Sequence, residues 1–198
     1  MREPDVFIKA EQALQNVVDQ ISDDQWAMEM PPAFAMRAVD RPVTLREIIN
    51  YHAYDDAWVP DMLAGHTMDE VGQAAFKGDL LGDDPRTSFA QVVAKACAAA
   101  GTVNDADLER TVHCSFGDYS VREYFWQINS FRALRAHDIA DVIGVDSTLP
   151  PELVQGVWDE ISPHAEEWRS IGVFGPRVEV PEDASLQDKL LALTGRHP

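Results

Sequence analysis

A histidine and an arginine stand where two helical stripes would otherwise be wholly apolar, and both side chains have chemistry to offer. His52 shares the spacing of Leu45, Ile48, Val59 and Leu63, and Arg135 that of Ile128, Phe131, Ile139 and Val142. Residues three, four and seven apart lie on one face of an α-helix. An imidazole can ligate a metal or move a proton near neutral pH, whereas a guanidinium keeps its charge and grips carboxylate or phosphate with a rigid fork. Taking an ionised group out of water costs on the order of several kcal/mol unless it is paired or neutralised. The two positions therefore mark a candidate cavity. Asp55 and Asp56, on the turn after His52, and Asp138, on the turn after Arg135, add carboxylates within reach of it.

Helices must carry these groups. The spacing of Phe7, Ala10, Leu14, Val17, Val18 and Ile21 predicts a first helix over residues 4–21. Pro31, Pro32 and Pro42 make residues 22–43 an irregular crossing loop, pinned by Trp26 and Phe34. Thr44 followed by Glu47 is a capping-box pattern, so the helix of His52 starts there and ends near Gly65. Beyond a polar stretch over 66–86, Thr87 or Ser88 can cap a third helix through Phe89, Val93 and Cys97 to Gly101. Alternation over 111–116 and the Gly117-Asp118 turn signal predict a short strand or extended loop.

Ser120 and Glu123 form a second capping box, opening the helix of Arg135, which runs to Val142 before Gly144. A fifth helix follows Pro150-Pro151 through Leu153, Val157, Ile161 and Trp168, shortened or kinked at Pro163. Residues 172–181 read as extended and 184–194 as a last short helix. The fold class is therefore all-α. The economical architecture is a four-helix bundle with extra short helices and a short extended or β segment, a single domain over 1–198 whose tail, 172–198, packs on it. Any site lies between facing helices.

Composition narrows the function. Sixteen basic against 34 acidic residues give a net charge of −18, which repels nucleic-acid backbones in the absence of a basic patch. Arg122, Arg132 and Arg135 are interleaved with Glu123, Asp138 and Asp141, so no patch forms. No apolar run approaches a membrane span, and Met1-Arg2-Glu3-Pro4-Asp5 lacks the regions of a signal peptide, so a cytoplasmic location is expected. Cys97, among alanines, reads as core. Cys114 sits beside His113, but neighbours on an extended segment face opposite ways and make a poor nucleophile–base pair. His137 faces away from Arg135 and reads as a surface partner of Asp141, and Trp58, Trp126, Trp158 and Trp168 read as core. No phosphate-binding glycine loop, nucleophile elbow or paired-cysteine metal motif is found.

Three stretches carry a family resemblance: Leu45-Arg46-Glu47-Ile48-Ile49-Asn50-Tyr51-His52 with its sequel to Gly65, Arg135-Ala136-His137-Asp138-Ile139-Ala140 leading to Gly144, and Gly172-Val173-Phe174-Gly175-Pro176 with the closing Leu193-Thr194-Gly195-Arg196-His197-Pro198. Together they resemble the DinB-like superfamily. Within it they resemble the actinobacterial group named for the amino-terminal domain of mycothiol-dependent maleylpyruvate isomerase. The resemblance implies a four-helix bundle holding a divalent metal, zinc or nickel, by a histidine on the second helix and two ligands on a later one.

His52 matches the first ligand. Phe131 and Arg135 occupy the positions of the other two, and neither can ligate: phenylalanine has no lone pair and guanidinium stays protonated. The resemblance thus implies a degraded metal site, with His52, Asp55, Asp56, Phe131, Arg135 and Asp138 as the ligand-binding pocket. An ion pair from Arg135 to Asp55, Asp56 or Asp138 could replace the metal, or could simply fix the packing of two helices. Three functions follow as expectations. One is a metal-free relative binding a small anionic molecule at Arg135, another a metal-dependent transferase or isomerase using mycothiol as its thiol partner, and the last a homodimeric structural or interaction protein.

Overall fold

The computed structural model describes residues 1–34 and 41–198, so part of the expected crossing loop, residues 35–40, lies outside the described residues. The described chain is mostly helical, with a single two-stranded antiparallel sheet among the described residues. It divides into two compact units, one made of Met1–Leu14 and Phe125–Pro198, the other of Gln15–Tyr124. The divisions fall inside the first and fifth helices. No described helix is long and apolar enough to cross a membrane.

In the unit Gln15–Tyr124, α2 (Leu45–Ala64) begins and ends where its sequence requires. The Thr44 hydroxyl accepts from the Glu47 amide while the Glu47 carboxylate accepts from the Thr44 amide, so two orphan donors of the first turn are satisfied. Gly65, at φ 83°, takes the left-handed conformation that closes the last turn. The chain before α2 is tied to it by an isolated bridge between Glu29 and Thr44, with Trp26 and Phe34 buried as the loop's pins.

A short helix, α3 (Met68–Val71), precedes α4 (Pro85–Ala100), which packs along α2. The cap of α4 differs from the sequence expectation. Asp84, not Thr87 or Ser88, supplies the accepting oxygen, to the Thr87 amide. Pro85 takes the first helical position, where its missing N–H costs nothing. The expected strand is a hairpin, β1 (Thr111–Cys114) with β2 (Gly117–Ser120), pairing Thr111 with Ser120 and Cys114 with Gly117. Its turn is Ser115-Phe116, two residues before the expected one, and Gly117 begins the return strand.

In the other unit, the leading part of α1 (Glu3–Val18) buries Val6, Phe7, Ala10 and Leu14. Phe7 meets Phe125 of α5 (Val121–Ile143) with ring centroids 5.7 Å apart. The second capping box, in which Ser120 and Glu123 exchange hydrogen bonds at the start of α5, belongs to the unit Gln15–Tyr124. A further helix, α6 (Pro151–Ile161), lies so close to α1 that a Cβ on Gly156 would sit 2.7 Å from Val6 Cγ2. Pro163 breaks the expected long fifth helix: a 3-10 turn over Ser162–His164 separates α6 from α7 (Ala165–Ser170). The last helix, α8 (Leu186–Leu193), packs on α6.

Candidate functional site

Three of the candidate residues ride on α2. His52 and Asp56 lie one turn apart with no exposed surface, and Asp55 is half-buried. The stripe that carries them buries as the periodicity requires: Leu45, Ile48, Val59 and Leu63 are all core. An aromatic ladder covers a neighbouring part of the helix, running from Tyr51 to Tyr54 to Trp58, with Trp58 edge-on to Phe76 at 4.8 Å. Asn50 holds the loop beyond α2, donating to the Gly78 carbonyl and accepting from the Leu80 amide.

The other three candidates ride on α5, in the unit that contains α6 and the tail. Arg135 is 7% exposed, and its guanidinium carbon lies 5.4 Å from the centre of the Phe131 ring. Burial pulls the Arg135 pKa down to about 10; Asp138 opposes this by attraction and Arg196 adds to it by repulsion. The group remains cationic at neutral pH. Of the carboxylates that the sequence offers to Arg135, Asp138 accepts a two-pronged hydrogen bond from Arg196 instead, at 2.8 and 2.9 Å. Asp138 therefore reaches Arg135 as an electrostatic neighbour. Two guanidinium groups thus share the surroundings of one carboxylate.

Arg196 is the site residue that sequence reasoning did not single out. Its place depends on the tail. Arg169 donates to the carbonyls of Gly175 and of Leu193 at the end of α8, at 2.9 and 2.6 Å, tying the extended stretch before the tail to the last helix. Gly195, at φ 88°, crosses Gly175 so closely that a Cβ there would sit 2.7 Å from Gly175 Cα. The Arg196 amide then bonds the Leu191 carbonyl, which aims its side chain at Asp138. The closing Leu-Thr-Gly-Arg stretch carries part of the family resemblance, but no local spacing points from Arg196 to a carboxylate 58 residues earlier.

Other expected groups fall outside this chemistry. Burial pushes the Cys114 thiol up to about 12, helped by Asp118, so thiolate is scarce at neutral pH. His113 pairs with Asp118 across the hairpin at 2.8 Å. Cys97, expected as core, is half-buried because its face of α4 stays partly open. His137 bonds the Ser147 carbonyl at 2.9 Å, not Asp141, since the chain folds back after Gly144. Of Trp58, Trp126, Trp158 and Trp168, only Trp58 is buried; Trp126 is half-buried, its ring stacked on His164 at 4.7 Å.

Among the described residues, no group of three or more His, Cys, Asp and Glu side chains is placed to hold a metal ion. His52 and Asp56 alone fall short of the four ligands zinc takes in structural sites, or the three of catalytic ones. Comparison of the chain with protein-family models, with curated proteins and with solved structures returns no match.

Proposed function

We propose that the chain is a DinB-like four-helix-bundle protein, similar to the amino-terminal domain of mycothiol-dependent maleylpyruvate isomerase, that uses a fixed cation where relatives hold a metal. Its ligand is a small carboxylate- or phosphate-bearing molecule, bound at Arg135. The observation that supports this reading is the buried Arg135 guanidinium with Arg196 anchored beside it through Asp138. A desolvated guanidinium gains more from an anion than a solvated one does, because little water competes. The test is a thermal-shift and calorimetric titration with inorganic phosphate, monocarboxylates and dicarboxylates. Saturable binding by one class, lost in Arg135→Gln, supports the reading; binding that survives Arg135→Gln overturns it.

A second reading is a divalent-metal-dependent thiol transferase or isomerase. It draws on the fully buried His52 and Asp56, one turn apart on α2. Metal analysis of protein purified without chelator or affinity tag separates the two readings. One tightly bound equivalent of zinc or nickel, lost in His52→Ala, would replace the first reading with the second.

A further inference from the structure

A second buried polar group lies apart from the Arg135 cluster, where α1, α5 and α6 meet. Asn129 of α5 is fully buried and Glu160 of α6 is 7% exposed. The Asn129 side-chain nitrogen lies 3.0 Å from the Glu3 carbonyl, and 3.0 and 3.1 Å from the two Glu160 carboxyl oxygens. One amide group with two hydrogens thus faces three acceptors. Among the described residues it is the only hydrogen-bond donor to Glu160, while its own oxygen, equally buried, has no hydrogen-bond partner. As an ionised carboxylate, Glu160 would be short of donors in a place with little water, a costly arrangement.

One added hydrogen resolves the count. We propose that Glu160 keeps its proton in the folded protein and shares it with Asn129, forming a pH-sensitive clasp that joins α1, α5 and α6. The protonated oxygen donates to Asn129 Oδ1, and Asn129 Nδ2 donates one hydrogen back to the other carboxyl oxygen and one to the Glu3 carbonyl. The terminal torsion of Asn129 is soft, and rotation about it is what would align the pair. Every polar atom named then has a partner.

The surrounding charges favour the neutral acid. From α1, the Glu3 carboxylate repels an ionised Glu160 and the amino-terminal ammonium attracts it; Asp159, on α6 itself, repels it. Arg132, the nearest cation along α5, is committed to Glu11 of α1. Burial is the largest influence, and together these effects raise the Glu160 pKa to about 8. In the unfolded chain the group has its ordinary value of 4.5. Between those limits the folded state holds the extra proton, so stability is full below the lower value and declines as pH rises through the upper one.

The experiment compares the full-length protein with Glu160→Gln by urea denaturation between pH 5 and 9, with carbon-13 titration of the wild-type Glu160 carboxyl alongside. The ratio of the folded-to-unfolded equilibrium constants, wild type over Glu160→Gln, should fall about tenfold per pH unit through the window and level off above it. The Glu160 carbon signal should titrate near the upper limit. Parallel pH profiles for the two proteins, or a Glu160 signal titrating in the ordinary glutamate range, would overturn the proposal. If Glu160→Gln does not fold, the wild-type titration decides alone.

Discussion

Glu47, at the start of α2, and Glu160, inside the α1, α5 and α6 cluster, each accept hydrogen bonds from an amide, yet they titrate in opposite directions. Glu47 is pulled down to about 2, chiefly by its bond with Arg41 and then by the Thr44 amide, with water still at hand. Glu160 is pushed up to about 8 because burial outweighs the single amide that serves it. A cap costs little desolvation and favours the charged form, whereas a buried carboxyl without a cation favours the neutral one. The same side chain therefore supports its surroundings as a charged group above its ordinary pKa in one place and as a neutral acid, up to about 8, in the other.

The contrast can be broken most forcefully at the ion pair beside Asn129. Glu11 and Arg132 are both buried and joined directly, with the Arg132 guanidinium over the Phe7 ring and donating to the Ile128 carbonyl. Glu11→Ala should cost about 3–5 kcal/mol in urea denaturation, because a buried cation loses its partner. Combining it with Arg132→Met should recover much of the loss, and failure to recover would mean that the pair contributes more than mutual neutralisation.

At the surface the effects are smaller. Thr44→Ala removes the acceptor for the Glu47 amide and should cost about 1 kcal/mol. A loss as large as that of Glu11→Ala would show that the start of α2 is not the locally satisfied element described. The smallest effect belongs to Glu47→Gln. The folded pKa of Glu47 lies below its unfolded value of 4.5, so its contribution is present above that pH and fades as pH falls towards 2. Acid denaturation of Glu47→Gln should accordingly show a flatter slope in that window, with little change at pH 7, since exposed pairs are screened by solvent.

The helices were legible because their signals act over a few residues. Both capping boxes, Thr44 with Glu47 and Ser120 with Glu123, are where the pattern placed them, and Gly65 and Gly144 end their helices with positive φ. The burial of His52 and Arg135 followed from periodicity alone. Where local signals compete, the structure decides: Asp84, Thr87 and Ser88 are all able caps, and Pro85 at the first helical position favours Asp84. Of the candidate site, the helix faces were legible and the pairings only in part. The sequence offered Asp55, Asp56 and Asp138 alike as partners of Arg135, and the fork on Asp138 comes from Arg196.

By itself the sequence determined where the long helices run, which of their faces are largely buried and which polar residues are carried onto them, but not the short α3, since a helix relates each residue to neighbours within about four positions. Only the tertiary structure decided which of those polar groups meet. Arg132 finds Glu11, Asn129 finds Glu160 across 31 residues, and Arg196 finds Asp138 across 58. Those partnerships depend on helices packed side by side and on the Gly175–Gly195 crossing that brings the tail home. The ionisation of Glu160 belongs to the same class, because it depends on how much water the packing leaves beside the carboxyl.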